Sequence, residues 1–167
     1  MSNPTLTLTL KDGDVVIEMM PDVAPKHVAQ ISQIAKDGGY DGIAWHRVID
    51  GFMAQTGDVQ HGRVGDDGEV SDRAGTGGSD HGNIDAEFSK LPFERGVCGM
   101  ARSQMPNSAN SQFFIMFGET PSLNGQYTVW GRVTSGMEHV DGIKRGAGGN
   151  GMVSQPDQIV KAVVSEG

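Results

Sequence analysis

Residues 45–58 read WHRVIDGFMAQTGD, and this stretch indicates both the fold and the chemistry of the chain. Two runs rich in β-branched and aromatic residues, Trp45–Ile49 and Phe52–Gln55, flank an aspartate–glycine pair. That pattern predicts two short adjacent strands joined by a tight turn. Because strand side chains alternate between faces, Trp45 and Arg47 are expected on the same face. The stretch therefore combines a permanent cation and an amide with soft apolar side chains.

Similar strand patterns occur along the rest of the chain. Residues 5–10 read TLTLTL and residues 15–19 read VVIEM, with a glycine-containing turn between them, which predicts a β-hairpin. The 25 glycines, about twice the average usage, suit a fold of short strands and tight turns. The other strand candidates are Val97–Arg102, Gln112–Phe117, Thr128–Val133 and Gln158–Val164.

Two segments have helical rather than strand character. Pro25–Lys36 places apolar residues at helical spacing after a proline that suits a first turn, and Met137–Lys144 predicts a second, shorter helix. Residues 59–83 are rich in glycine and aspartate and poor in apolar residues, which predicts a long functional surface loop. Residues 1–167 are thus expected to form one mainly β domain: a closed eight-stranded antiparallel β-barrel capped by two α-helices, since closure removes exposed strand edges.

Bulk properties disfavour several classes of function. The net charge of −8 argues against binding to nucleic acid or to anionic membranes. A single cysteine, Cys98, cannot form an internal disulfide, and no basic-then-apolar leader is visible, so a cytoplasmic location is expected. His61 and His81 match no tight metal-ligand spacing, and residues 75–78 (GTGG) lack the lysine of a phosphate loop. Neither a metal nor a cofactor is expected.

Two further segments complete a set of three motif blocks. Residues 100–115 read MARSQMPNSANSQFFI, and residues 122–131 read SLNGQYTVWG. Together with residues 45–58, and in the same order and similar spacing, they resemble the signature blocks of the cyclophilin family of peptidyl-prolyl cis–trans isomerases. The likeness continues in GTGG at residues 75–78 and AEF at residues 86–88, and it covers the chain from about Asp14 to Val164. The short turns and Tyr127 are most similar to bacterial members.

The resemblance implies a complete active site. Arg47 matches the central catalytic residue of the family, with Gln55 and Phe52 as the other catalytic positions. A proline pocket is implied at Phe52, Met53, Phe114 and Leu123, whereas Phe113, on the opposite strand face, is expected in the core. The implied substrate-binding residues are Met53, Ala101, Arg102, Gln112, Phe114, Leu123 and Tyr127. At Arg102 the family uses mainly backbone groups, so its side chain is expected to matter less.

Three positions qualify what the resemblance implies. Tyr127 stands where many eukaryotic members have histidine, but a phenol can still pack on a ring and donate a hydrogen bond, so activity is expected to survive. Ser122 stands where cyclosporin-sensitive members have tryptophan, which predicts weak cyclosporin binding. His46 is expected to be a hydrogen-bonded structural residue rather than a proton shuttle, because the implied reaction moves no proton.

The expected function is therefore isomerisation of X–Pro bonds in proline-containing polypeptides, by a monomer that assists protein folding. Two alternatives stay open. One is a proline-segment binding module with a cyclophilin fold and no required turnover. The other is an unrelated β-barrel ligand carrier. The complete catalytic set favours the enzyme over the binding module, and the three motif blocks disfavour the carrier.

Overall fold

The computed structural model describes residues 3–148 and 150–166, in which strands predominate. In chain order the strands are β1 (Thr5–Leu10), β2 (Gly13–Met19), β3 (Ile43–Ala44), β4 (Arg47–Ile49), β5 (Met53–Thr56), β6 (Val97–Met100), β7 (Phe113–Met116), β8 (Val129–Ser135), β9 (Gln158–Ile159) and β10 (Lys161–Ser165). The helices are α1 (Pro25–Lys36) and α2 (Met137–Asp141), with a short 3-10 helix at Pro121–Leu123. No helix in the described part of the chain is both long and apolar enough to cross a membrane.

Eight of the ten strands form one large antiparallel sheet in the order β10-β1-β2-β8-β6-β7-β5-β4. The predicted mainly β fold of eight antiparallel strands and two helices is confirmed. A separate two-stranded ladder pairs β3 with β9, just before the edge strands β4 and β10 in sequence, and so links the two edges. Within residues 3–148 and 150–166, the edge strands β4 and β10 do not pair with each other. The predicted closure of the sheet into a full barrel is therefore not observed in the described residues.

The predicted hairpin and first helix form as the sequence indicates. In β1 the leucines are buried and the threonines are half-buried, as strict alternation requires. Helix α1 buries Val28, Ile31 and Ile34 and packs against β10. Its N-cap residue supplies no side-chain cap; instead Glu87 accepts hydrogen bonds from the backbone N–H groups of Lys26 and His27, each at 3.0 Å.

Helix α2 ends earlier than the sequence indicates. It stops at Asp141 rather than Lys144. The N–H groups of Gly142 and Ile143 bond the carbonyls three residues back, so the last turn tightens and the helix does not continue. Residues 59–83, the predicted surface loop, contain no helix or extended strand.

Two apolar clusters fill the fold. The larger one holds Phe113, whose ring makes edge contacts with Tyr40, Trp45 and Trp130 at centroid distances of 5.5, 6.4 and 5.2 Å. Phe113 is thus a core residue, as expected. Trp45 also lies in this core, whereas Arg47 is only partly buried, so the prediction that they share a strand face is wrong. The reason is that β4 begins only at Arg47.

The smaller cluster lies on the other face of β7. It contains Met53, Phe93, Phe114, Met116 and Val129. Phe114 belongs to it while its neighbour Phe113 belongs to the larger core, because successive side chains of a strand point to opposite faces. This second cluster is the apolar base on which the candidate site is built.

Candidate functional site

Strand register brings the key side chains into one row. Arg47 on β4 pairs with Gln55 on β5, Gln55 pairs with Phe114 on β7, and Phe114 pairs with Gly99 on β6. The row therefore runs from a cation through an amide to an aromatic ring. Gly99 leaves room for that ring: a Cβ at this position would lie 2.5 Å from both the Phe114 and Phe93 rings.

A cavity of about 140 Å³ opens above this row, and we call it the apolar cavity because five of its nine lining residues have apolar side chains: Phe52, Met53, Ala101, Phe114 and Leu123. Phe93 stacks on Phe114 at 5.8 Å, and Tyr127 makes an edge contact with Phe114, also at 5.8 Å. These contacts fix the orientation of the rings in the cavity wall. The lining residues are Arg47, Phe52, Met53, Gln55, Ala101, Arg102, Phe114, Leu123 and Tyr127. All of the predicted site residues except Gln112 thus line one cavity.

A second, polar cavity of about 280 Å³ adjoins the first. Gln112 lies here, so every predicted site residue lines one of the two cavities. The cavities share Gln55, Ala101 and Arg102, so they lie side by side, and we refer to the two together as the groove. The polar cavity is lined by Gln55, Gly75, Thr76, Gly77, Ala101, Arg102, Ser103, Ser108, Asn110, Ser111 and Gln112.

The Arg47 side chain is held by two hydrogen bonds. Its Nε donates to the Asn150 carbonyl at 2.8 Å, and its Nη1 donates to Gln55 Oε1 at 3.3 Å. An arginine has five N–H donors, so three remain for a ligand. Gln55 in turn donates to Gln112 Oε1 at 3.0 Å, and Gln112 donates to the Gly77 carbonyl at 3.0 Å. The orientation of Arg47 thus depends on a chain of amides that ends in the loop at residues 75–78.

That loop is anchored by Asp58, whose side chain is fully buried. Asp58 Oδ1 accepts from the N–H groups of Gln60 at 3.0 Å and His61 at 2.8 Å, and Oδ2 accepts from Gly75 at 2.7 Å and Gly77 at 2.9 Å. Burial raises the pKa of this carboxyl group, but the four hydrogen bonds outweigh burial and hold the pKa below its usual value. Asp58 therefore stays ionised and fixes the wall of the polar cavity.

His46 lies beneath the same loop. Its side chain is 1% exposed, and neither ring nitrogen has a hydrogen-bond partner in the described part of the chain. The residue is buried, as expected of a structural histidine; that its ring is hydrogen-bonded stays a prediction, which the raising effect of the Ala44 backbone on its pKa favours. Burial lowers the pKa of His46 to about 4, and the nearby Asp58 offsets this effect only in part. His46 is therefore a neutral packing group at physiological pH.

His46 is expected to titrate with a midpoint of about 4 in an NMR titration of the imidazole signals. Because the unfolded pKa is about 6.5, the unfolded state takes up the proton first as the pH falls. Folding stability should therefore decrease by about 3 kcal/mol between pH 6.5 and pH 4 from this residue alone. The non-titrating variant His46→Gln should lack this component. A His46 midpoint near 6.5 would contradict the assignment.

Arg102 lies where the two cavities meet. Its Nε and Nη2 donate to the Gln126 carbonyl at 3.1 and 2.6 Å, and its Nη1 donates to the Ser103 carbonyl at 2.9 Å. The guanidinium also lies 4.6 Å from the centroid of the Tyr127 ring. Arg102 thus connects the Tyr127 wall of the apolar cavity to the loop that borders the polar one.

Three contributors to the site were not predicted from the sequence. Phe93 supports Phe114, but it lies in a segment without strand or helix periodicity. Gly99 sits inside a predicted strand, where an isolated glycine is itself a signal for a close approach. Asn150 contributes only its backbone carbonyl, so its side-chain identity carries no signal.

Comparisons with known proteins agree with this geometry. Residues 5–164 match the family model described as "Cyclophilin type peptidyl-prolyl cis-trans isomerase/CLD". A probable peptidyl-prolyl cis-trans isomerase of Brucella suis is 61% identical over 161 residues, which are 96% of this chain and 82% of that protein. Peptidyl-prolyl cis-trans isomerase B of Bacillus subtilis is 37% identical over 139 residues, covering 82% of this chain and 88% of that protein.

Solved structures agree with the sequence relatives. A cyclophilin-type isomerase of Cryptosporidium parvum, crystallised in the presence of the dipeptide Ala-Pro, superimposes with a TM-score of 0.82 at 25% identity, covering 98% of this chain and 99% of that one. A cyclophilin of Hirschia baltica gives a TM-score of 0.78 at 27% identity, covering 95% of this chain and 73% of that one. The chain belongs to the cyclophilin-type peptidyl-prolyl cis–trans isomerase family and is an isomerase of X–Pro peptide bonds.

Proposed function

We propose that Arg47 is the residue on which catalysis depends. Rotation about an X–Pro bond is slow because amide resonance imposes a barrier of about 20 kcal/mol. When the amide twists, the prolyl nitrogen becomes pyramidal and gains a lone pair that the planar amide does not offer. A fixed donor near that nitrogen therefore binds the twisted state more tightly than the planar one, and each ~1.4 kcal/mol of difference is worth about tenfold in rate.

The observation that carries this proposal is the way Arg47 is held. Two hydrogen bonds fix its guanidinium at the edge of an apolar cavity, and three donors remain available. A donor fixed in advance has no reorganisation cost when the amide twists, and the apolar surroundings strengthen its electrostatic effect. Arginine stays charged at any physiological pH, so the donor needs no proton transfer to act.

The cavity walls supply the second element of the proposed mechanism. Phe52, Met53, Phe114 and Leu123 form a surface that can hold the proline ring while the preceding residue rotates, with Tyr127 against the ring of Phe114. Gln55 positions Arg47 and offers its amide to the substrate backbone. Ala101, Arg102 and Gln112 line the groove along which the rest of the peptide lies.

The proposed substrates are proline-containing polypeptides, and the Ala-Pro dipeptide in the Cryptosporidium crystals is consistent with that class. Action as a cytoplasmic monomer that assists folding is part of the proposal. A single cysteine, fully buried in the core, suits a reducing compartment.

The test is a protease-coupled or NMR exchange assay on an Ala–Pro peptide, with wild type and Arg47→Ala measured side by side. We expect clear acceleration by the wild type and a large loss in the variant. Equal rates for the two proteins would reject the proposed role of Arg47.

Cyclosporin is expected to bind weakly, because Ser122, exposed in the 3-10 helix next to the pocket residue Leu123, has no ring to offer. Ser122→Trp should increase cyclosporin affinity by about tenfold or more, since a buried tryptophan contact contributes on the order of 1.5–3 kcal/mol. Isothermal titration calorimetry of both proteins measures the change, with Ser122→Ala as the control that should leave affinity unaltered. A nanomolar Kd for the wild type would contradict the prediction.

A further inference from the structure

The groove is electrically unlike the rest of the chain. The protein carries 21 acidic residues against 13 lysines and arginines. Among the described residues, those that line the two cavities nevertheless include two arginines, Arg47 and Arg102, and no aspartate or glutamate. A cleft lined by one sign of charge concentrates its electric field and attracts ligands of the opposite sign. The two charged side chains that line the groove are thus both cationic, and the ionised Asp58 lies behind the wall of the polar cavity, where four N–H groups bind it.

Neither of these arginines is neutralised by an ion pair. Other arginines do have carboxylate partners: Arg95 pairs with Asp141 at 2.7 Å, and Arg145 pairs with Asp50 at 3.0 Å. In residues 3–148 and 150–166, no carboxylate oxygen lies within 4.0 Å of a side-chain nitrogen of Arg47 or Arg102. The positive charge of both groups is thus available to a bound peptide.

Arg102 is held in a fixed orientation although no acid pairs with it. Its three hydrogen bonds to the carbonyls of Ser103 and Gln126, and its contact with the Tyr127 ring, restrain the guanidinium. Two of its five N–H donors have no partner among these contacts. A restrained arginine loses little side-chain entropy when it binds a carboxylate, so more of the interaction energy is retained.

We propose that Arg102 makes the enzyme favour substrates with an acidic side chain two positions before the proline or directly after it. A peptide whose proline occupies the apolar cavity and whose chain continues into the polar cavity must pass Arg102, because this residue lines both. The proposal rests on the proposed function, in which the peptide lies along the groove. The Arg102 side chain would then select substrates, whereas the family resemblance implies mainly a role for the backbone at this position.

The expected size of the preference for acidic substrates follows from the partial exposure of the site. Ion pairs of this kind change affinity by about two- to fivefold at low salt. Exchanging an acidic for a basic side chain adds repulsion to the lost attraction, so kcat/KM should differ by roughly five- to tenfold between them. Screening at high ionic strength should remove most of this difference.

The test uses two series of proline peptides and three proteins. In the first series the residue two positions before proline is Glu, Gln or Lys. In the second series the same three residues are placed directly after proline. The proteins are the wild type, Arg102→Gln and Arg132→Gln, and kcat/KM is measured at about 20 mM and 0.5 M salt. Arg132 is a matched control because it is exposed on β8 and lines neither cavity, yet its removal changes the net charge equally.

We expect a Glu-to-Lys ratio of about five or more in at least one series for the wild type and for Arg132→Gln. The ratio should fall below about two in Arg102→Gln and at high salt. Ratios below two in both series for the wild type, or a ratio that Arg102→Gln leaves unchanged, would overturn the proposal. The neutral Gln peptides measure isomerase activity without a charge effect. Loss of activity on these peptides would contradict the proposed function, whereas the Glu-to-Lys ratio tests only the acidic preference.

Discussion

Arg47→Ala is expected to lower kcat/KM for an Ala–Pro peptide by about 10²–10³-fold, the loss seen when one preorganised donor is removed from a transition-state site. The variant keeps the apolar cavity but removes the group that we propose acts on the twisted amide. Gln55 then loses a hydrogen-bond partner, yet its bond to Gln112 at 3.0 Å remains. The fold should persist because Arg47 is only partly buried and lies on an edge strand.

Arg47→Lys should recover little of that loss. Lysine keeps the charge but lacks the planar fork that bonds the Asn150 carbonyl and Gln55 at the same time. The measurement is kcat/KM for wild type, both variants and the surface control Arg132→Ala, with far-UV circular dichroism to verify folding. Full activity in Arg47→Lys would show that the positive charge alone is sufficient and that the planar arrangement of donors is not required.

Asp58→Ala is expected to have the largest effect on stability, lowering the free energy of unfolding by roughly 3–4 kcal/mol. Hydrogen bonds to a charged group contribute about 1.5–3 kcal/mol each to the free energy of unfolding. In the variant, water can replace only some of the four hydrogen bonds that Asp58 accepts. Chemical denaturation at pH 7 measures the loss. Asp66→Ala, in the exposed part of the same long loop, is the control and should change stability by less than about 0.5 kcal/mol.

The pH dependence gives this prediction a second check. Because the pKa of Asp58 is lowered in the folded state, its stabilising contribution is present above its unfolded pKa of about 3.9 and is lost as the pH falls through the folded pKa. The stability difference between wild type and Asp58→Ala should therefore narrow below about pH 4. A difference that stays constant to pH 2 would mean that the carboxylate charge is not what anchors the loop.

Local patterns were sufficient to predict most of the fold. The TLTLTL alternation of β1 and the helical spacing of α1 are properties of short segments, and both elements form where expected. Elements set by distant partners were not predictable. Strand β3 is two residues long and exists because Ile43 pairs with Ile159, more than a hundred residues away. Such pairings leave no periodic signal in the sequence.

The candidate site divides in the same way. Motif resemblance assigned Arg47, Gln55 and Phe114 to the site, but their alignment in one row follows from the register of β4, β5 and β7. The support beneath the row comes from Phe93, whose segment has no strand partner, and from a backbone carbonyl at Asn150. Side-chain type could not reveal either contribution, because one is a packing relation and the other is independent of the side chain.

NMR exchange spectroscopy at saturating peptide distinguishes whether Arg47 acts on the twisted amide, as we propose, or on the ground state. One titration of an Ala–Pro peptide with wild type and Arg47→Ala yields both the on-enzyme cis–trans exchange rate and the Kd. We expect an exchange rate at least about 100-fold slower in the variant, with a Kd within about threefold of wild type. An unchanged on-enzyme exchange rate with a much weaker Kd would contradict it.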